Sequence, residues 1–328
     1  MNTKIEKKQT SVESLAKMAD IFESCSVSES TKRAYESDWQ AFWRFCRDHD
    51  LLDLPADPET VAIHLTDMAD SGLSVSTIQR RSISISAIHR AAGFESPAKT
   101  DRVRRVIKGI KKRLGTAPRQ AKALSWPDIR RMVQHCDTSI IGVRDSAILL
   151  LGWTSALRRS ELVALDIGDL EFVEQGLILT IRRSKTDQMG EGAKIGIPSI
   201  SNDAYCPVFA VQRWISRAKS RSPSNPLFLK IGASGRNEWF REPEGRLSDR
   251  MIPLIIKRYA KFSGMDPNLY SAHSLRRGLA TDAGAAGVPE RVISRHTRHR
   301  SIAVLRNYIE DGTIWQENPL PIIYGREK

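Results

Sequence analysis

Apolar residues recur every three or four positions through the first third of the chain, which is the period of amphipathic helices. The first predicted helix begins at Ser30, which we expect to act as its N-cap. Its apolar positions are Tyr35, Trp39, Phe42, Trp43 and Cys46. Asp57 and Pro58 open a second helix that runs to Asp70. A third is predicted over residues 74–92, so this part of the chain is expected to form a helical domain.

A fourth predicted helix, over residues 100–115, combines a buried stripe with a dense set of cations. The stripe consists of Val103, Val106, Ile107, Ile110 and Leu114. The cations are Arg102, Arg104, Arg105, Lys108, Lys111, Lys112 and Arg113, and Asp101 is the only acid among them. The third helix also places Arg80, Arg81 and Arg90 largely away from its apolar face. A run of charge is usually a solvated face, but this density favours contact with phosphates.

Residues 116–122 predict a short basic linker that contains Arg119 and Lys122. The linker separates a helical DNA-binding domain, residues 1–115, from a second domain over residues 123–328. Two domains joined in this way can close around a duplex, which a single rigid lobe cannot do without threading. We therefore expect Arg119 and Lys122 to contact DNA together with the cations of the first domain.

The second domain is predicted to be mostly helical with a small sheet. Ser125 and Pro127 begin its first helix, and a strongly apolar helix follows over residues 139–153. Strands are predicted at residues 177–181 and 193–198, with an earlier strand near 170–172. Further helices are expected over 203–219 and 250–262, with a loop over 232–247. The expected fold class is mainly α with a small antiparallel β-sheet.

Net charge and cysteine content indicate the kind of binding partner and the cellular compartment of the protein. The 328 residues carry a formal net charge of +13, which suits a polyanion such as nucleic acid. The four cysteines have no paired spacing, so neither a zinc site nor a disulfide framework is indicated. The lysine-bearing N-terminus lacks the apolar region of a signal peptide, and no apolar run reaches membrane length. We expect a cytoplasmic, nucleoid-associated protein.

The residues best suited to catalysis lie near the C-terminus. His273 and Arg276 are three apart, so on a helix they share a face, and Tyr308 follows His299 by nine positions. A guanidinium group can neutralise the non-bridging oxygens of a phosphodiester in a bidentate way. A tyrosine has a pKa of about 10, so as a nucleophile it needs a base or a positive field. Its phosphate ester conserves the energy of the broken bond, so such a reaction is reversible without ATP.

These residues resemble the catalytic domain of the tyrosine recombinases, the phage-integrase and Cre-like family. Upstream, residues 156–162, ALRRSEL, resemble the first arginine motif of that family. Residues 182–186, RRSKT, resemble its lysine-bearing hairpin. Each motif alone is weak, but the four occur in the family's order over residues 124–310. The helical first domain resembles the core-binding domain of the family less specifically.

The resemblance assigns a role to each candidate residue. Tyr308 attacks the phosphate with help from His273. Arg158 and Arg276 bind the phosphate, and His299 donates a hydrogen bond to it. Lys185 protonates the departing 5′ oxygen. Glu161 orients the guanidinium group of Arg158. The family requires neither a metal nor a nucleotide cofactor.

Two of these assignments each have a competing candidate nearby in the sequence. Arg159 competes with Arg158, which we prefer because it directly follows Leu157 as in the family pattern. His296 competes with His299, but only His299 has the nine-residue spacing to the tyrosine. Many relatives have glycine where Ala156 and Arg298 stand in this chain.

The resemblance also implies partners and an assembly. The expected substrate is double-stranded DNA with specific inverted-repeat target sites, cut by a homotetramer that exchanges strands through a Holliday junction. Accessory DNA-binding proteins are a further candidate class of partner. Two other functions stay open, namely DNA relaxation by a type IB topoisomerase and sequence-specific DNA binding by a non-catalytic regulator.

The segment after the nucleophile has a mixed character. Gly312 is expected to end the helix of Tyr308, and Pro319 and Pro321 disfavour a long helix beyond residue 318. The segment is nevertheless too apolar for a solvated tail, so it needs a surface to cover. It docks either on a neighbouring protomer, as in relatives, or on its own domain.

Overall fold

The computed structural model describes residues 29–115, 120–182, 192–200, 204–219, 222–232, 243–299 and 301–314, together with Leu320 and Ile323. The chain divides into two compact units, Met1–Arg119 and Gln120–Lys328. Each unit has a hydrophobic core of its own.

The first unit is built from helices in its described part. They are α1 (Glu29–Asp48), α2 (Pro58–Asp70), α3 (Val75–Ala91) and α4 (Asp101–Leu114). The predicted starts of α2 and α3 are confirmed, because the Asp57 side chain accepts a hydrogen bond from the Glu59 amide and Ser74 accepts one from Thr77. The N-cap prediction for Ser30 is wrong, since helix α1 already includes Glu29.

Apolar side chains from all four helices meet in the core of the first unit. Phe42 of α1, Leu65 of α2, Ile85 of α3 and Val103 of α4 are completely buried. These side chains follow the helical period, so the amphipathic pattern determines how the helices pack. Two residues of the predicted apolar faces, Trp43 and Leu114, are instead 43% and 44% exposed. Burial of such side chains contributes roughly 1.5–3 kcal/mol each.

One buried acid ties α1 to α3. The carboxylate of Asp38 is 3% exposed and accepts a hydrogen bond from the Ser84 hydroxyl at 2.8 Å. It also pairs with Arg80, and Arg81 lies 3.6 Å from it. A buried carboxylate needs such partners, so Arg80 and Arg81 stabilise the helix pair in the described structure.

The second unit is also largely helical. Its helices are α5 (Trp126–Gln134), α6 (Ile140–Ser155), α7 (Arg159–Ala164), α8 (Pro207–Ala218), α9 (Met251–Phe262), α10 (His273–Ala285), α11 (Glu290–Thr297) and α12 (Ile302–Thr313). Ser125 caps α5 in a capping box with Asp128, as the sequence predicts. Nearly all of α6 is buried, which explains its lack of a polar face.

Three strands form the predicted antiparallel sheet. They are β1 (Leu170–Val173), β2 (Gly176–Ile181) and β3 (Ala193–Pro198), in the order β1-β2-β3. The pairing of β2 with β3 places Leu179 opposite Ile195. Buried and exposed residues alternate along β3, so one face of the sheet covers the core. The mainly α fold class with a small antiparallel sheet is confirmed.

A second antiparallel pair corrects the loop predicted over residues 232–247. Strand β4 (Leu229–Ile231) pairs with β5 (Pro243–Arg246), and residues 233–242 lie outside the described ranges. The Gly, Arg and Glu composition of β5 lacks the alternating apolar residues that would predict a strand. Its pairing partner, and not its own pattern, makes it a strand.

Gly312 does not end the helix of Tyr308, which corrects the prediction for that residue. It lies inside α12, where a Cβ atom would come within 2.3 Å of the Thr281 carbonyl oxygen on α10. The glycine therefore permits close contact between the two helices, and a side chain at this position would force them apart. Leu320 and Ile323 also have helical backbone, and both are exposed.

Candidate active site

Helix α10 brings His273 and Arg276 to one face, as their spacing predicts. The helix begins at His273, whose backbone amide donates to the Ser271 hydroxyl at 3.2 Å. His273 is exposed, whereas Arg276 is only 1% exposed. The amino end of a helix favours anions, so this end of α10 suits a phosphate.

Three nitrogens of Arg276 have different environments. Nη1 donates to the Ala156 carbonyl oxygen at 2.8 Å, and Nε donates to Nε2 of His299 at 3.3 Å. Nη2 is buried and has no acceptor among the described residues. Ala156 ends α6 in the left-handed conformation, with φ of 50°, and this turn directs its carbonyl oxygen at the arginine.

Arg158 and Glu161 form a buried contact at the start of α7. The Arg158 amide donates to Glu161 Oε2 at 2.9 Å, and Arg158 Nη1 donates to Oε1 at 2.6 Å. The Glu161 side chain is 2% exposed, so this is not a surface ion pair. Arg159 points elsewhere and pairs with the partly exposed Asp249 at 3.2 Å. The structure thus brings Arg158, and not Arg159, to Glu161.

The hydrogen bonds of His299 define its tautomer. Thr297 donates its single hydroxyl proton to the Ile293 carbonyl oxygen at 2.7 Å, so it must accept from His299 Nδ1 at 2.6 Å. Arg276 Nε is always a donor, so His299 Nε2 must accept. The ring therefore carries its proton on Nδ1. To donate from Nε2 to a phosphate, it would need a second proton or the other tautomer.

His296 lies outside this cluster. Its Nε2 is 2.7 Å from the Thr154 carbonyl oxygen, and no described pocket arginine contacts it. The ring of His299 instead lies against that of Tyr308, with centroids 5.6 Å apart and an angle of 67° between the planes. The geometry therefore agrees with the spacing argument that selects His299.

Tyr308 is held on α12 against α10 and α11. Its side chain is 6% exposed and packs with Ala280, Ile293 and Leu305. The guanidinium carbon of Arg277 lies 5.3 Å from the centre of its ring. Arg277 also donates to Asp311 at 2.5 Å, which ties α10 to α12 beside the tyrosine.

The pocket is strongly cationic and partly desolvated. Burial, followed by the charge of Arg276, lowers the pKa of His299 to about 3. Burial, followed by Arg158 and Arg298, lowers the pKa of Arg276 to about 9. Desolvation first and then Arg276 also lower the pKa of His273. His299 is thus neutral at pH 7, and the lowered pKa of His273 favours its neutral form, which can accept a proton.

Three residues of the site were not predicted from the sequence. Arg298 donates to Glu161 Oε2 at 2.9 Å, Arg277 lies over Tyr308, and Thr297 fixes the tautomer of His299. A signal for Arg298 was present, because it occupies a position where relatives have glycine. Nothing in the sequence pattern distinguishes Thr297, since its role depends on the turn after α11.

The remaining predicted site residues either fall outside the described ranges or lie on other surfaces of the described structure. Lys185 and Arg119 fall outside the described residues. Lys122 is exposed, and its backbone amide donates to Leu269. Arg90 is exposed on α3, and Arg105, Lys108, Lys112 and Arg113 are exposed on α4, whereas Lys111 is half-buried. Arg102 and Arg104, also on α4, pair with Glu59 and Asp101 respectively.

Two further observations concern the described ranges as a whole. No three His, Cys, Asp or Glu side chains come together there in a way that could hold a metal ion. None of the helices in those ranges has the length and apolar character that crossing a bilayer requires.

Comparison with known protein families matches the Phage integrase family to residues 122–313, more than half of the chain. The chain is 36% identical over 305 residues to the integrase/recombinase xerD homolog of Selenomonas ruminantium, covering 92% of this chain and 87% of that protein. It is 25% identical to the recombinase cre of Escherichia phage P1, over 87% of this chain and 84% of that protein.

Solved structures give the same picture. A lambda integrase dimer bound to a COC′ core site has a TM-score of 0.59 and 19% identity, and the match covers 90% of this chain and 94% of that one. The Tn1549 transposon integrase in complex with transposon right end DNA has a TM-score of 0.57 and 19% identity, with 86% and 89% covered. At this level of identity, the similarity shows a shared fold.

Proposed function

This chain belongs to the phage integrase family and is a site-specific tyrosine recombinase, and from that premise we propose that it cuts and rejoins DNA through a covalent bond between Tyr308 and a 3′ phosphate. The observation that carries this proposal is the convergence of Arg158, Arg276, His299 and Tyr308, which come from four separate segments of the second unit.

In the proposed step, the Tyr308 oxygen attacks the scissile phosphorus. A phosphotyrosine ester forms as the bond to the 5′ oxygen breaks, and His273 in its neutral form takes the phenolic proton. Lys185 supplies a proton to the departing 5′ oxygen. Attack by a 5′ hydroxyl of another strand reverses these events and joins the DNA.

The phosphate is bound by charge-assisted hydrogen bonds. Arg276 offers its unpaired Nη2, and Arg158 is oriented by Glu161. An anion in the pocket favours the protonated form of His299, because it offsets the arginine charges that lower the pKa of that ring. A bound phosphate therefore raises the pKa of His299 and favours uptake of a second proton from solvent, which the ring needs in order to donate from Nε2.

We assign DNA contacts outside the pocket to the first unit and to the linker. Arg102 and Arg104 of α4 pair with Glu59 and Asp101. The other exposed cations of α4, with Arg90 of α3, have no carboxylate partner within the described ranges. They suit phosphates along a duplex, and we assign further phosphate contacts to Arg119 and Lys122, which follow α4 in the sequence. Arg80 and Arg81 remain candidates, although both also stabilise Asp38.

Assembly of four protomers on DNA, with strand exchange through a Holliday junction, is part of the proposal. The second unit has an apolar groove of about 320 Å³ lined by Ile197, Leu279, Val292 and neighbouring residues. The tail after Tyr308 carries the exposed apolar residues Leu320 and Ile323. We propose that the tail of one protomer occupies the groove of the next.

Removal of residues 318–328 tests this assignment. Binding to a single DNA site should persist, because the cationic surfaces remain, whereas synapsis and recombination should fall. Gel-shift and recombination assays on the same preparation compare the two. A truncated protein that unfolds or loses single-site binding, with no selective loss of assembly, would indicate that the tail packs on its own domain.

One experiment tests the proposed reaction against the two other functions. Supercoiled DNA is incubated with the protein, with and without paired copies of a target site recovered from covalently trapped DNA ends. A recombinase gives joined products only with paired sites, whereas a topoisomerase relaxes either substrate. A DNA-binding regulator gives no covalent adduct on either substrate, and that result would overturn the proposal.

A further inference from the structure

Arg298 adopts a backbone conformation that does not suit an arginine. It follows α11 in the left-handed region, with φ of 55° and ψ of 47°. This region is disfavoured for residues with a Cβ atom and is readily adopted by glycine. An arginine here is therefore explained by what its side chain contacts.

That side chain turns into the active site. Its Nη2 donates to Glu161 Oε2 at 2.9 Å, and only 14% of the side chain is exposed. The same carboxylate accepts from Arg158 Nη1 at 2.6 Å. Glu161 thus holds two guanidinium groups next to each other. The left-handed turn after α11 is what brings the second group to this carboxylate.

Several donors in this region lack acceptors. Nε and Nη1 of Arg298 and Nη2 of Arg276 are buried, and no residue in the described ranges accepts a hydrogen bond from them. A guanidinium group is only a donor and stays charged in proteins, so it cannot satisfy itself by losing a proton. Buried charged donors without acceptors are costly, and they point to a ligand that accepts.

The local charge also indicates that such a ligand is an anion. Arg158, Arg276 and Arg298 surround one carboxylate, that of Glu161, so the described cluster has excess positive charge. Arg298 lies close enough to Arg276 and His299 to lower the pKa of both. An anion with several acceptor oxygens would satisfy the unpaired donors and balance the charge.

We propose that Arg298 is a third arginine of the phosphate pocket, donating from Nε and Nη1 to the non-bridging oxygens of the scissile phosphate while Nη2 stays on Glu161. The inference rests on the proposed function, because the scissile phosphate is the occupant. It differs from a positioning role, in which Arg298 would act only by orienting Glu161 and Arg158 and would not touch the DNA.

Inorganic phosphate provides a test that needs no DNA. The melting temperature of the full chain is measured in phosphate and in chloride at equal ionic strength, for wild type, Arg298→Gly and Arg298→Asn. Glycine and asparagine both accept the left-handed conformation, so two variants guard against a failure to fold. Arg295→Gln is the matched control, since it removes an exposed arginine from the end of the same helix.

Wild type and Arg295→Gln should melt at a higher temperature in phosphate than in chloride, because the anion binds the folded state. The Arg298 variants should lose most of that increase. An increase of wild-type size in an Arg298 variant that folds, or no increase in wild type, would overturn the proposal.

A second measurement separates a phosphate contact from a positioning role. Cleavage is measured on the target site recovered from covalently trapped DNA ends. The scissile position carries either a normal phosphate or a methylphosphonate. Arg298→Gly should slow cleavage of the phosphate by about 10²-fold, comparable with the loss of one transition-state donor. On the methylphosphonate, which lacks the negative charge, the difference from wild type should nearly disappear. Equal losses on the two substrates would indicate a positioning role.

The melting assay does not depend on the proposed reaction, so failure of the reaction and failure of the Arg298 proposal give different results. Tyr308→Phe should keep the phosphate-dependent increase in melting temperature, because it removes only the nucleophile. If wild type forms no DNA adduct but shows an increase that depends on Arg298, the recombination reaction is wrong and the anion pocket stands. If the adduct forms but Arg298→Gly behaves as wild type in both assays, only the role of Arg298 is wrong.

Discussion

Helix α4 of the first unit and the pocket of the second unit are both rich in arginine, but the guanidinium groups are exposed on α4 and buried in the pocket. On α4 the guanidinium groups are in water, and Arg102 pairs with Glu59 where each side chain is about half exposed. In the pocket, Arg276 is 1% exposed and has a buried nitrogen without an acceptor among the described residues. The first surface attracts a polyanion, whereas the second is arranged for one anion at a fixed place.

The energetic consequences of the two arrangements differ. An exposed ion pair contributes about 0–1 kcal/mol and is weakened further by salt. Buried charged donors destabilise the folded state until an acceptor arrives. The α4 surface can therefore gain or lose a cation at little cost to folding, while the unpaired buried donors of the pocket lower the stability of the folded state.

His64 of the first unit is a buried polar group without a hydrogen-bond partner among the described residues, like those of the pocket. His64 is 3% exposed, and neither ring nitrogen has a hydrogen-bond partner among the described residues. Its ring lies 4.7 Å from that of Phe45, centre to centre. Burial, followed by the charge of Arg81, lowers its pKa to about 4. His64 lies in the helical core and not in the candidate active site, so we expect its protonation to affect the stability of the fold.

The largest effect is expected from Tyr308→Phe, which should abolish the covalent adduct and leave DNA binding intact. Only the nucleophilic oxygen is lost, and the cationic surfaces are unchanged. Adduct formation is measured by denaturing gels and binding by gel shift. Tyr324→Phe is the matched control, and an adduct that depends on Tyr324 but not on Tyr308 would show that the nucleophile is misassigned.

The second largest effect is expected from His299→Ala, compared with substitution of His296. His299→Ala should slow cleavage by about 10²–10³-fold, because it removes a hydrogen-bond donor to the transition state. His296→Ala should leave the rate nearly unchanged, since His296 contacts the Thr154 carbonyl oxygen and not the pocket. Single-turnover rates on one target site compare the two. Equal losses would remove the reason for choosing His299.

A third effect concerns stability at acid pH. The folded-state pKa of His64 is about 4, below the ordinary value of about 6.5, so between these values the unfolded chain binds more protons. The free energy of unfolding should therefore fall as the pH falls from about 6.5 to 4. The contribution of His64 is on the order of 3 kcal/mol.

Denaturant unfolding at several pH values measures this loss. His64→Leu should reduce the pH dependence in that window, because the unpaired ring is replaced by an apolar side chain of similar burial. His49→Leu is the control, since His49 is exposed. A wild-type dependence retained in full by His64→Leu would place the acid-sensitive group elsewhere.

The smallest effect is expected on α4. Replacement of both Arg105 and Lys108 by alanine should weaken binding to target and random DNA alike, and lower the salt slope by roughly 0.9 per lost phosphate contact. Arg102 and Arg104, which form ion pairs with Glu59 and Asp101, provide the comparison. Replacement of these two residues should change the salt slope less, because their charges are already partly neutralised. Binding is measured over a range of salt concentrations. A loss confined to one base position would indicate base reading instead.

Local patterns in the sequence predicted most of the fold. Asp57, Ser74 and Ser125 satisfy amide groups at helix starts, and that chemistry depends only on neighbouring residues. Strand β3 has the alternating burial of a half-buried sheet, and the apolar run of β2 also predicts a strand. The errors at Gly312 and β5 have the opposite origin. Contact with Thr281 and pairing with β4 involve residues distant in sequence.

The sequence by itself determined the chemistry available to this protein. The spacing of His273 and Arg276, and of His299 and Tyr308, follows from the chain alone, and so does the resemblance that named Arg158 and Lys185. Helical spacing is a local property, which is why it placed His273 and Arg276 on one face without knowledge of the fold.

Only the tertiary structure decided which groups meet and in what state. Glu161 and Arg298 are separated by most of the second unit, and their contact requires the start of α7 and the turn after α11 to come together. The same packing removes water from His299 and Arg276, and it places Thr297 where it directs the proton of His299 to Nδ1. Desolvation and hydrogen-bond direction are properties of an assembled site, so no local pattern could predict them.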